Sequence, residues 1–310
     1  MVNKDNLFAL QNQLIQTEKK LNSNELCLVK TANAWIEEAR LLPPIKQILG
    51  SCWLTGTVAI LAGDTGVGKT LLAVSCADKI TKGKTQLLGL NIEVSERVLY
   101  VDFELSERQF LNRYHQYRFS DDFLRAEENF YYLGKERITF QYIEKLLNEK
   151  DVDILILDNI TALSTKTNQD AQVAYDIMMG LRKLAKQHGK SCLVLAHTPK
   201  ITGYEPLRTD HVGGSKFVTN FADTVFFIAK SQADSRLRYI KQTKFRDARE
   251  DDKVLVCQIN DQDGALDFEF VGHDDEREHL YKTEKELPHW FDDALSLHNE
   301  GYSYRQIEEK

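Results

Sequence analysis

Four stretches of the chain are apolar at nearly every position: Val58 to Ala62, Val98 to Val101, Ile154 to Leu157 and Cys192 to Ala196. Continuous runs without alternation belong to strands buried on both faces, as in a parallel sheet. Helical patterns separate them. Leu71 to Ile80 carries Leu72, Val74, Cys76 and Ile80 among good helix formers, and Glu104 to Tyr117 reads as a second helix. Ala171 to His188 places Val173, Ile177, Met178, Leu181 and Leu184 on one side, with Gly189 as a stop. Strands alternating with helices predict an α/β fold whose mostly parallel sheet is flanked by helices. After residue 220 the pattern changes. Thr224 to Ile228, Arg236 to Thr243, Lys253 to Ile259 and Ala265 to Phe270 read as strands without helices between them, expected as antiparallel edge strands or a small hairpin layer. Residues 1–30 are polar with scattered Leu and Ile, which predicts one helix, and Leu42-Pro43-Pro44 interrupts any helix there.

Three regions follow: an N-terminal helical segment over 1–40, an α/β core over 41–272, and an acidic linker with a small helical tail over 273–310. A chain of 310 residues is long enough for one large core with appendages. No stretch reaches the 18 or more apolar residues of a membrane span, so no membrane association is expected. The N-terminus lacks an apolar segment followed by a small-residue cleavage site. The cysteines (Cys27, Cys52, Cys76, Cys192 and Cys257) are odd in number and unpaired in spacing, which suits buried thiols in a reducing cytoplasm.

Charge is uneven. Residues 261–310 hold 15 acidic and 5 basic residues, so the first 260 carry a net +3 against −7 overall. From Lys230 to Glu250 there are seven basic and three acidic residues, an excess that suits either a phosphate-facing surface or a solvated strand.

The chemistry centres on Gly63-Asp64-Thr65-Gly66-Val67-Gly68-Lys69-Thr70, which fits the phosphate-loop pattern at every fixed position, between a predicted strand and a predicted helix. Backbone N–H groups and a helix N-terminus there favour phosphate. Lys69 is expected to reach the β- and γ-phosphates and the Thr70 hydroxyl to ligate Mg²⁺. Asp158, ending the run Ile154–Leu157, is the expected second Mg²⁺ anchor, at the strand mouth where ligands bind in such sheets. Glu104, just past Val98–Val101, is the candidate to orient the attacking water; Asp102 is its rival, and both also suit capping of the following helix. His197 follows Cys192–Ala196 and is placed to sense the γ-phosphate. The cluster His273–His279 reads as a solvated surface rather than a metal site.

Together GDTGVGKT, VLYVDFELSER, ILILDNI, LAHTPK, Gly213-Gly214-Ser215, Ala222-Asp223 and Lys244-Phe245-Arg246 resemble the RecA-type ATPases. The similarity is greatest to RepA-like and DnaB-like ring helicases, an AAA-family group, and it runs from about Pro44 to Arg249. The resemblance implies ATP and Mg²⁺ as ligands, Glu104 as catalytic base and His197 as nucleotide sensor. It implies that Lys244 and Arg246 are fingers reaching a neighbouring subunit's nucleotide in a homo-oligomeric ring, a hexamer being one form. It also implies that the loops Thr161–Asp170 and Thr198–Gly214, with Lys166, Lys200 and Arg208, face a channel for single-stranded DNA. Tyr204 is their one aromatic, a thin stacking platform. Phe291 to Ile307 resembles the opening of a helix-turn-helix that stops before a recognition helix is complete. The expected function is Mg²⁺-dependent ATP hydrolysis coupled to DNA in a replicative or mobile-element helicase. The alternatives are an ATP-switched DNA-binding regulator, or an ATPase acting on a protein partner in defence or transposition.

Overall fold

The computed structural model describes residues 29–127, 140–160, 168–213, 216–246, 253–262 and 265–281, with isolated positions beyond them. The chain divides into two units, Met1–Pro44 and Ile45–Lys310. In the first, helix α1 spans Ala32–Arg40. Its N-cap is Thr31, whose hydroxyl accepts from the Ala34 amide at 3.2 Å, and it ends before Pro43 and Pro44. The helix expected within residues 1–30 falls almost wholly outside the described residues.

The second unit begins with a hairpin of β1 (Gln47–Leu49) and β2 (Trp53–Leu54). Then come β3 (Val58–Gly63), α2 (Lys69–Thr81), a small hairpin of β4 (Gln86–Leu87) and β5 (Leu90–Asn91), β6 (Val98–Asp102), α3 (Glu107–Tyr114) and β7 (Phe123–Glu127). The chain continues through α4 (Phe140–Lys150), β8 (Ile154–Asp158), α5 (Asn168–His188), β9 (Ser191–His197) and α6 (Lys216–Phe221). It closes with β10 (Thr224–Lys230), β11 (Leu237–Phe245), β12 (Lys253–Gln262) and β13 (Ala265–Asp275).

Nine strands form one sheet in the order β7-β6-β8-β9-β3-β10-β11-β12-β13. The first six are parallel and the last three antiparallel. Strand alternation splits the core in two. Ala59 and Leu61 join Leu72, Ile80, Tyr100 and Phe226 on the α2 face, while Val58, Ile60 and Ala62 join Ile143, Leu147, Ile177, Met178 and Leu181 beneath α4 and α5. Burial on both faces explains why these strands are apolar throughout.

Four elements differ from expectation. β10 lies parallel to β3, in register Thr224 to Ala59, and is no antiparallel edge strand: the segment carrying α6 returns the chain to the starting end of β3. α3 starts at Glu107 rather than Glu104 because Ser106 forms a capping box, accepting from the Gln109 amide while its own amide donates to the Gln109 side chain at 2.9 Å. β7 and α4 carry no continuous apolar run. β7 is half-buried at the sheet edge, and α4 buries only Ile143 and Leu147.

Candidate nucleotide-binding and hydrolysis site

Four parallel strands end together. Asp102 pairs in register with Asp158, and Gly63 with His197, so the segments following β3, β6, β8 and β9 converge on one crevice. A Cβ on Gly63 would lie 2.4 Å from the Ile228 carbonyl of β10, so only glycine lets the loop leave the sheet here. Gly68 is the N-cap of α2 with φ +110°, and no side chain caps that end. The first N–H groups of α2 are therefore left for an anion.

Lys69 is buried, and its Nζ donates to the carbonyls of Gly63 at 2.9 Å and Asp64 at 2.8 Å. It also stands 3.2 Å from His197 Nδ1. Burial lowers the lysine's pKa, against the pull of Glu104, Asp158 and Asp64. Asp64, Thr65 and Gly66 are exposed, while Val67 is buried and its carbonyl accepts from Arg238 Nε at 3.2 Å.

Thr70 Oγ1 donates to Asp158 Oδ2 at 2.7 Å, and the buried Tyr100 hydroxyl donates to the same oxygen at 2.6 Å. Asp158 Oδ1 is buried and accepts no hydrogen bond among the described residues. A hydroxyl beside a carboxylate with one uncommitted oxygen is a hard donor set, and it fits Mg²⁺. Burial raises the Asp158 carboxyl to about 6; the Tyr100 and Thr70 hydroxyls oppose that rise, and the charges of Glu104 and Asp102 add to it.

The two acidic candidates of β6 separate cleanly. Asp102 is 1% exposed, and its Oδ1 accepts from the amides of Glu104 at 3.0 Å and Leu105 at 2.8 Å. Its Oδ2 pairs with Arg125, at 3.0 Å to Nε and 2.9 Å to Nη2. Both oxygens are therefore spent holding the turn into α3. Glu104 is exposed, and its Oε2 accepts from Asn159 Nδ2 at 3.0 Å. That amide nitrogen also lies 3.1 Å from His197 Nε2. Asn159 is 4% exposed and went unnoticed in the sequence, although it stands in ILILDNI directly after Asp158. Burial and the Lys69 charge lower the pKa of His197, while Glu104 and Asp64 pull the other way.

Lys244 and Arg246 stand elsewhere. Lys244 pairs in register with Val225, and Thr224 with Ala59, which puts both residues at the end of β3 opposite Gly63. Lys244 Nζ donates to the carbonyls of Thr219 and Ala222, each at 2.8 Å. Arg246 bonds the Asn220 carbonyl at 3.1 Å and pairs with Asp223 at 3.2 Å. Neither meets the phosphate loop of its own chain.

Of the two expected channel loops, most of Thr161–Asp170, with Lys166, lies outside the described residues. In the other, Lys200 is exposed, while Arg208 faces Glu205 at 3.4 Å and Asp210 at 3.3 Å. This loop is tied down from below. Glu276 accepts from the Leu207 amide at 2.8 Å and pairs with Lys241 at 2.5 Å, while the Tyr281 amide donates to the Gly203 carbonyl at 3.0 Å. Glu276 and His279 are 5% and 4% exposed, so the acidic cluster is not the fully solvated surface its composition suggested. The helix-turn-helix-like stretch Phe291–Ile307 falls largely outside the described residues. Cys52, Cys76, Cys192 and Cys257 are buried free thiols. Among the described residues no helix is long and apolar enough to cross a membrane.

A glycine loop running from a parallel strand into a helix, with an acidic residue ending the strand two positions along the sheet, defines a phosphate-loop protein of the RecA type. The chain belongs to the family described as AAA domain, whose model matches residues 23–203, more than half of its length. It is 23% identical over 209 residues to the DNA repair protein RadA of Pseudomonas aeruginosa, and 24% identical over 208 residues to that of Chlamydia pneumoniae. Those alignments take in 65% and 64% of this chain but 39% of each relative, so the chain spans about two fifths of their length. A KaiC-like protein from Pyrococcus horikoshii OT3 shares the fold with a TM-score of 0.51 at 15% identity, over 73% of this chain and all of the other.

Proposed function

We propose that the chain is a Mg²⁺-dependent ATPase of the RecA type. One observation carries the reading: of the two acidic residues at the end of β6, Glu104 is the one that faces the crevice, because both oxygens of Asp102 hold the backbone and Arg125. The phosphate-loop amides and Lys69 bind and orient the triphosphate. Thr70 and Asp158 would hold Mg²⁺, which when bound would supply charge neutralisation on the phosphate oxygens. Glu104 Oε accepts the proton of the attacking water, and His197 reads the terminal phosphate. Lys244 and Arg246 serve a neighbouring subunit's site in a ring, a role supported by their separation from their own phosphate loop. Glu104→Gln tests the base: ATP binding stays within about threefold of wild type while turnover falls by about a hundredfold or more. Near-normal turnover would move the base elsewhere.

Coupling to DNA, with helicase action as the specific form, is supported by the likeness to proteins named for DNA repair. A second reading is favoured by the loop after β9. Residues 198–213 hold Lys200 and Arg208 against Glu205 and Asp210, so the loop offers no net positive charge to a phosphate backbone. An ATPase that switches or drives a protein partner needs no such charge. Strand displacement decides between them: ATP hydrolysis without unwinding, and without stimulation by single-stranded DNA, rejects the helicase reading.

A further inference from the structure

Two side chains, Glu104 and His197, share the amide nitrogen of a third, Asn159, at three neighbouring strand ends. Asn159 Nδ2 is 3.0 Å from Glu104 Oε2 and 3.1 Å from His197 Nε2. A carboxylate is acceptor-only, so an ionised Glu104 requires the amide nitrogen, not the amide oxygen, to face it. The second hydrogen of that nitrogen then points at His197 Nε2, which must accept. A neutral imidazole that accepts at Nε2 carries its proton on Nδ1. Nδ1 is the nitrogen facing Lys69 Nζ, 3.2 Å away, on the phosphate-loop side of the ring. Two donors therefore confront each other across that gap. The Lys69 ammonium already has the carbonyls of Gly63 and Asp64 as acceptors, and an anionic oxygen entering between the two nitrogens takes a hydrogen bond from both.

We infer that Asn159 is a positioning residue that holds His197 as its Nδ1–H tautomer, so that Nδ1–H is the donor that recognises the terminal phosphate. The inference rests on the proposed hydrolytic site and adds the residue that ties its base to its sensor. Because one nitrogen serves both partners, a change at Glu104 is felt at the histidine without movement of the backbone. The amide in the reverse orientation suits only a protonated Glu104, and it then accepts from an Nε2–H ring.

The test is the position of the His197 ring proton, read by nitrogen-15 NMR of the histidine-labelled full chain, with its signal assigned by its loss in His197→Gln. In the wild type, Nδ1 carries the proton, and its resonance moves on adding Mg²⁺ with a non-hydrolysable ATP analogue but not with ADP. Asn159→Asp places an acceptor at Nε2, and Asn159→Leu leaves Nδ1 to accept from Lys69; both move the proton to Nε2. Asn159→Asp lowers kcat by about tenfold or more while KM for ATP stays within about threefold, since the ring's contact with the reacting phosphate is what changes. A wild-type ring protonated at Nε2 overturns the inference, as does a proton that stays on Nδ1 in both variants. A wild type that holds the Nδ1–H form yet hydrolyses no ATP supports the assignment and rejects the hydrolytic reading beneath it.

Discussion

At the scale of single residues, the site is governed by how many donors each carboxylate oxygen already serves. Asp158 directs Oδ2 at two hydroxyls and leaves Oδ1 uncommitted, which suits a metal anchor better than a cap. Its carboxyl is raised to about 6, chiefly by burial, so at the proposed metal site protons would compete with Mg²⁺ within the physiological range. The sign is fixed by that rise: the ionised form binds metal, and it is lost as pH falls through about 6. Mg²⁺ affinity in the presence of nucleotide therefore drops by about tenfold per pH unit below that point, as titration calorimetry between pH 5 and 8 will measure. Tyr100→Phe removes a donor that opposes the rise, so the midpoint moves to higher pH and Mg²⁺ binding at pH 7 weakens. An unchanged midpoint would mean that the Tyr100 hydroxyl only fills space. Lys69, Thr70, Asp158, Glu104 and His197 were all legible in the sequence, because each sits at a fixed offset from an apolar run. Asn159 and Tyr100 were not, since a lone amide and an aromatic residue within a strand look the same whether they pack or position.

Among elements, the loop between β9 and α6 depends on a distant strap. Glu276 lies directly after β13, yet its carboxylate holds the Leu207 amide and Lys241, and Lys241 in turn donates to the Leu207 carbonyl at 3.0 Å. Glu276→Ala leaves a half-buried ammonium and a buried amide each short of an acceptor, a loss of about 1–3 kcal/mol. Trypsin cleavage after the exposed Arg208 becomes faster in that variant, while Glu276→Gln, which keeps one acceptor, stays closer to wild type. Equal cleavage rates in all three proteins would show that the strap does not hold the loop. No local signal marks this clasp, because its partners are 69 and 35 residues apart. α3, by contrast, has its start written locally in Ser106 and Gln109, and the early boundary expected from Glu104 overlooked that capping box.

For the whole molecule, the separation of Lys244 and Arg246 from Gly63 is decisive. Within one chain they cap the C-terminal end of α6, through the carbonyls of Thr219, Asn220 and Ala222. A ring in which they serve a neighbour predicts that Glu104→Gln and Arg246→Ala subunits, each inactive alone, recover partial ATPase activity when mixed. Mixed rings contain some sites with a wild-type base and a wild-type finger. No recovery, with both variants confirmed as oligomers by sedimentation, would place their role within the chain.

The apolar runs and the glycine loop, read alone, determined the order of the central strands β3, β6, β8 and β9 and of the helices α2 and α5, the phosphate loop and most of the crevice. These are local in sequence, and burial on both faces leaves a direct mark on composition. Only the tertiary structure decided that β10 runs parallel beside β3, that Asp102 caps the turn while Glu104 faces the crevice, and that one Asn159 amide lies against both Glu104 and His197. Each of those depends on which atoms of distant segments meet, and hydrogen-bond saturation at a strand mouth is a property of that meeting rather than of any residue's type.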